Sequence, residues 1–137
     1  MAVKQISVFI ENKAGSIADI TKLLSNGGVN LRALTVADTK DYGILRMIAD
    51  DTEKATALLK EAGHTASVRE VSSFAVSDEP GALSKVLELL DENGINMEYF
   101  YSTVTSSSGK AFFIIRVDDN EKTEAVLREH SIEVLTD

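Results

Sequence analysis

An α+β chain made of two tandem βαββαβ units is the fold class predicted, and three observations predict it. The first is a repeat: Asn12-Lys13-Ala14-Gly15-Ser16-Ile17 returns as Asp78-Glu79-Pro80-Gly81-Ala82-Leu83, and Gly28-Val29-Asn30-Leu31 returns as Gly94-Ile95-Asn96-Met97, both 66 residues later. The second is a further match, Asp50-Asp51-Thr52-Glu53-Lys54 with Asp118-Asp119-Asn120-Glu121-Lys122, 68 residues apart. The second copy therefore carries two extra residues, which fall in the Ser106-Ser107-Ser108-Gly109 loop, where Ser and Gly tolerate insertion. The third is that hydrophobic periodicity changes between two and 3.6 residues in the same order in both halves. Repeats of this kind set two domains, residues 1–70 and 71–137.

Each copy opens on a strand, because Ile6, Val8 and Ile10 alternate with Ser7, Phe9 and Glu11, and Phe74 and Val76 continue that face in the second copy. A helix follows. Ile17, Ile20, Leu23 and Leu24, and then Leu83, Val86, Leu87 and Leu90, recur at steps of three and four, the stripe of an amphipathic helix. Both helices should end at Gly28 and Gly94, where a residue able to take positive φ closes the last turn. The stretches 30–37 and 97–104, then 43–49 and 111–117, are β-branched or aromatic and read as strands two and three. Ala55, Leu58, Leu59 and Ala62, with Thr123, Val126, Leu127 and His130, mark a second helix in each copy. Closing strands are expected at 66–71 and 132–135. Right-handed crossovers return the chain to one sheet with the helices on one face, so each copy is a four-stranded antiparallel ferredoxin-like unit of about 65 residues. A lone unit of that size is marginal, and pairing the copies would cover an edge strand.

Composition bounds what such a chain can do. Hydrophobic residues make up 44% and charged residues 26% of the 137, enough to pack a core. Fourteen basic against 22 acidic side chains leave a net charge of −8, which disfavours nucleic acid and anionic membrane as partners. Cysteine is absent, so disulfides, thiolate metal sites and a Cys nucleophile are excluded together. The first residues run straight into a strand pattern without an apolar leader, and no run approaches the length of a membrane span, so the expected location is cytoplasmic.

The doubled loop and the Gly-Val/Ile-Asn-Leu/Met segment resemble the ACT domain family, small regulatory modules that bind amino acids and similar metabolites. The resemblance covers the whole chain twice. Asp78, Pro80, Gly81, Leu83, Gly94, Ile95, Asn96 and Met97 fit the family pattern throughout, whereas the first copy departs at Ala14, where the family has proline. The resemblance implies that the units pair side by side through strand two into one eight-stranded sheet with helices on one face. It also implies ligand contacts from the loop after strand one and from the start of strand two, taken from opposite units. One site would then join Asn12, Ala14, Gly15, Ser16 and Ile17 with Asn96, and the other Asp78, Pro80, Gly81, Ala82 and Leu83 with Asn30.

The residues independently fit that chemistry. Glycine at 15 or 81 lets a ligand approach the backbone, and the amides opening the next helix offer partial positive charge to a carboxylate. Asp78 supplies an acceptor for an ammonium, and Asn12, Asn30 and Asn96 offer both donors and acceptors. The plainer roles are a helix cap for Asn12 and Asp78 and a turn after glycine for Asn30 and Asn96. Tyr99 and Tyr101 share a strand face, where burial competes with stacking on an aromatic ligand. Residues 109–114 resemble the aromatic strand of RNA-recognition folds, a reading opposed by the acidic charge. His64 and His130 suggest no metal site, and Gly-x-Ser-x-Gly is absent. Asp50-Asp51 and Asp118-Asp119 precede a helix, where negative charge is structurally favourable.

The function expected is therefore a non-catalytic regulatory module, without cofactor or metal, that binds an amino acid or similar metabolite between its two domains and acts on a metabolic enzyme. Association into a homodimer is compatible with it. The competing readings are an interaction subunit without a ligand of its own, and an enzyme on a ferredoxin-like scaffold, which fold alone does not exclude.

Overall fold

Alternation and 3.6-residue stripes become strands and helices in the expected order. The computed structural model of the chain describes residues 3–11, 13–38, 41–103 and 109–136. It divides into two units, Lys4–Arg69 and Glu70–Asp137, the second also including Val3.

The first unit runs β1 (Val3–Glu11), α1 (Ser16–Asn26), β2 (Leu31–Asp38), β3 (Tyr42–Ala49), α2 (Thr52–Glu61) and the start of β4 (Ala66–Ser77), with strand order β2-β3-β1-β4. β1 and β3 are antiparallel, with Val8 opposite Leu45 and Ile6 opposite Met47. Their inward residues meet both helices: Ile6, Val8, Leu45 and Met47 cluster with Ile20 and Leu24 of α1 and Leu59 of α2, all fully buried. Both helices therefore cover one face of their sheet.

The second unit repeats the plan with the rest of β4, α3 (Ala82–Glu92), β5 (Met97–Ser102), β6 (Lys110–Val117), α4 (Asn120–Glu129) and the three-residue β7 (Glu133–Leu135), in the order β7-β4-β6-β5. Phe74, Val86, Leu90, Ile115 and Leu127 centre its core, and Phe74 stacks on Phe113 with ring centroids 5.6 Å apart.

The expected eight strands are seven among the described residues. Nothing between Ala66 and Ser77 breaks the chain, neither Gly nor Pro, so the closing strand of copy one and the opening strand of copy two run on as the twelve-residue β4. The single eight-stranded sheet implied by pairing through strand two is corrected as well. β2 is an edge strand with β3 as its one neighbour among the described residues, and β5 is likewise an edge beside β6.

The backbone devices are duplicated faithfully. Gly28 and Gly94 take φ of 80° and 69°, and the following amides reach back to the helices, Val29 N to Leu24 O at 2.9 Å and Ile95 N to Leu90 O at 3.0 Å. This six-to-one bond is the Schellman closure the glycines predict. The edge strands share a register shift too, between Leu31 and Ala33 and between Met97 and Tyr99. No helix among the described residues is long and apolar enough to cross a membrane.

Candidate functional site

Helices that follow the first strand of each unit start differently from those that follow the third. α2 and α4 have aspartate caps: the Asp51 carboxylate accepts from Lys54 N at 3.0 Å, and Asp119 does the same for Lys122 N at 3.0 Å. α1 and α3 have glycine caps with no side-chain hydrogen bond, Gly15 at φ 88° and ψ −12° and Gly81 at φ 86° and ψ −12°. A Cβ at either glycine would meet nothing within 4 Å. Positive φ, not crowding, is what requires glycine there.

The consequence is a pair of helix ends whose amides stay open. The first i to i−4 bond of α1 runs from Asp19 N to Gly15 O at 2.8 Å, and that of α3 from Lys85 N to Gly81 O at 3.0 Å. Ahead of it, Ser16 N and Ala82 N bend back to Lys13 O and Glu79 O at 3.4 and 3.3 Å, long contacts that hold the turn weakly. The amides of Ile17, Ala18, Leu83 and Ser84 precede the ladder, where a helix carries its partial positive charge. Ala14, Gly15, Pro80 and Gly81 are exposed, Ile17 is 38% exposed, and Ser16, Ala82 and Leu83 are half-buried. Proline at 80 and alanine at 14 thus support the same glycine geometry.

Asn12 lies outside the described residues. Asp78 is exposed and is not the cap of α3; its own amide donates to Gly109 O at 2.9 Å. Asn30 and Asn96 are exposed at the start of their edge strands. The backbone of Asn30 is clasped by a residue that sequence reasoning assigned only to the helix dipole: Asn30 N donates to Asp50 Oδ1 and Asp50 N donates to Asn30 O, each at 3.0 Å. The adjacent aspartates thus divide their work, Asp51 capping α2 and Asp50 holding the turn.

Tyr99 and Tyr101 do share a face, their rings stacked at 6.4 Å, and Tyr101 is buried to 9% exposure. Phe100 points the other way, edge-on to Phe113. His130 ends α4 with Nδ1 3.0 Å from Val126 O. No cluster of His, Asp and Glu suited to a metal ion occurs among the described residues.

Beside the second turn lies a feature the motif search did not single out. An open groove of about 780 Å³ runs along α3, with Glu79, Ala82, Lys85, Val86 and Leu89 on one wall and Lys110 on another. Lys110 reaches across the sheet to Glu133, Nζ to Oε1 at 3.1 Å. In the first unit a hollow of about 390 Å³ lies along α2, lined by Thr52, Thr56, Lys60 and Val68. Lys85, Glu88 and Glu92 at three- and four-residue spacing carried the groove's signal, which reads equally as an ordinary solvated helix face.

Residues 1–137 match a family model described as an ACT domain pair. A Bacteroides thetaiotaomicron protein of known crystal structure is 36% identical, with a TM-score of 0.92 over 98% of this chain and 92% of that one. The ligand-free regulatory subunit of aspartate kinase from Thermus thermophilus has the same fold, with a TM-score of 0.70 and 15% identity over 93% of this chain and 91% of that one. Its counterpart from Thermus flavus gives 0.67 and 19% over 93% and 90%. No curated protein matches the chain.

Proposed function

Since the chain belongs to the ACT domain family, as a pair of such domains spanning residues 1–137, we propose that it is a non-catalytic regulatory module that binds an amino acid or a similar small metabolite. The reading rests on one observation: the two glycine-capped helix ends leave amides without a side-chain cap, while the other two helices in the same chain are capped by aspartate. The ligand carboxylate sits on the amides of Ile17 and Ala18 or of Leu83 and Ser84.

Magnitudes decide what else is needed. An exposed helix end contributes about 0.3–1 kcal/mol to an anion. Millimolar binding needs about 4 kcal/mol. The turn alone is insufficient, and Asp78, as acceptor for the ammonium, with Asn30 and Asn96 supplies the remainder. Two of the structures sharing this fold are regulatory subunits of aspartate kinase, which supports a metabolic enzyme as the partner that receives the signal.

A thermal-shift screen against the twenty amino acids tests this. A ligand at a hundredfold excess over Kd stabilises the chain by roughly 2.7 kcal/mol, a rise in Tm of several degrees. Asp78→Ala removes the ammonium acceptor of the site at Leu83 and Ser84, and should reduce the rise while leaving the unliganded Tm in place. The absence of any shift at millimolar concentration sinks the reading.

A further inference from the structure

α2 and α4 are equivalent helices, 68 residues apart, but only α4 buries a carboxylate. Glu124 is 4% exposed and is held by its own unit. The Ser72 hydroxyl lies 3.2 Å from Glu124 Oε2 and 2.9 Å from Asn120 Oδ1, and Asn120 Nδ2 donates to Glu70 O at 3.1 Å. The Arg128 guanidinium lies 3.7 Å from Glu124 Oε1. A carboxylate taken out of water needs a cation and donors of this kind.

In the first unit every member of that set is changed except the cation. Thr56 stands at the position of Glu124, Thr52 at that of Asn120, Ile6 at that of Ser72 and Lys4 at that of Glu70, while Lys60 keeps the charge of Arg128. The Thr56 hydroxyl turns back on its own helix and donates to Thr52 O at 2.7 Å. Where α4 carries its carboxylate, the first unit has the hollow of about 390 Å³, with Lys4 and Lys60 in its lining and Ala57 and Val68 as an apolar wall. Glu70, Glu121, Glu124 and Arg128 make the second unit acidic here, whereas Lys4, Glu53 and Lys60 leave the first an excess of ammonium groups. Lys60 is exposed and forms no ion pair with a described residue.

We propose that this hollow binds a small monocarboxylate with a short apolar chain, its carboxylate standing in for that of Glu124. Lys60 and Lys4 meet the charge, and Ala57 and Val68 the chain. The first unit thus retains the cation of an ion pair whose anion the second unit builds into its own helix. Ammonium groups at the site select a plain carboxylate over a zwitterion, whose own ammonium they repel. They also form a locally basic spot on a chain of net charge −8, which draws an anion to this hollow rather than to its surroundings. The volume suits a small molecule. The hollow is separate from the amino-acid seats at α1 and α3, and its occupation does not depend on them.

Heteronuclear NMR on the full chain, titrated with hexanoate, tests it. Amide signals at 52–60 of α2, at Lys4 and at Val68 should move saturably, with a Kd of about 1–10 mM, as befits exposed lysines beside an open apolar wall. Acetate, which lacks the chain, should bind about fivefold more weakly or worse. Hexylammonium and norleucine, which carry an ammonium, should produce no saturable shift at these residues. Thr56→Glu plants in the first unit the carboxylate that Glu124 supplies in the second, and should weaken hexanoate about tenfold or more. Lys60→Glu should do the same from an exposed position, and Lys60→Arg should stay within about threefold of wild type. Far-ultraviolet circular dichroism checks folding, and Lys60→Glu carries the test should Thr56→Glu misfold. The proposal is overturned if hexanoate gives no saturable shift on α2 up to about 50 mM, or if its shifts are confined to the starts of α1 and α3. It is equally overturned if acetate, hexylammonium or norleucine matches hexanoate, or if a folded glutamate variant binds as tightly as wild type.

Discussion

The two units differ least where the backbone decides and most where side chains do. Gly15 and Gly81 have the same dihedrals to within a few degrees, both glycine helix ends close with the same six-to-one bond, and both edge strands shift register at equivalent residues. Ala14 against Pro80, Asn12 against Asp78, and Lys4 against Glu70 break the likeness. A positive φ or a bulge is conserved through its backbone requirement, since few residues satisfy it. Exposed side chains carry no such requirement, and there the copies were free to take different partners.

The shared core gives the largest expected effect. Leu24 and Leu90 are equivalent and both fully buried. Leu24→Ala and Leu90→Ala should each cost about 2–5 kcal/mol in denaturant unfolding, by lost transfer energy and the cavity left behind. Similar costs would extend the likeness of the units to their interiors. A cost below about 1 kcal/mol at one position would mean that unit collapses around the hole, and would break the comparison there.

Next come the turn glycines. Gly15→Ala and Gly81→Ala should each destabilise by about 1–2 kcal/mol, because an L-residue is forced into the left-handed region. The added Cβ meets no atom at either position, so steric clash contributes nothing. Asn tolerates that region better, and Gly81→Asn should recover a large part of the loss. If Asn is as damaging as Ala, the dihedral is not the reason for glycine.

The elements were legible because their causes are local. Alternation at Ile6, Val8 and Ile10 and the stripe through Ile20 and Leu24 each follow from one face being buried, and those residues are buried. The continuous β4 was not legible, since a sequence ending one repeat and opening the next looks identical whether or not the chain turns between them. The turn at Gly15 and Gly81 was legible from a glycine before an apolar stripe, but the identity of the cap was not. Asn12 and Asp78 are as suited by residue type to capping as Asp51 and Asp119, and the deciding quantity is the dihedral of the glycine three residues on, at 15 and 81. The clasp of Asn30 by Asp50 was hidden for another reason: it joins residues twenty apart in sequence, and no periodicity links them. The groove along α3 exists only once α3 and β7 are brought together, which helix patterning alone does not encode.

The smallest effect sharpens the contrast between the two kinds of helix start. Asp51→Ala and Asp119→Ala remove a carboxylate that accepts a backbone amide at 3.0 Å, and each should cost about 1 kcal/mol. Asp78→Ala removes an exposed carboxylate that caps nothing, and should change unfolding free energy by no more than about 0.5 kcal/mol. Urea melts of the three variants read the difference directly. Equal losses at all three would mean that Asp78 serves α3 as a cap in solution, leaving its amides satisfied and unavailable to a ligand. An unchanged melt for Asp78→Ala keeps those amides open, and any role for that side chain must then come from something it binds.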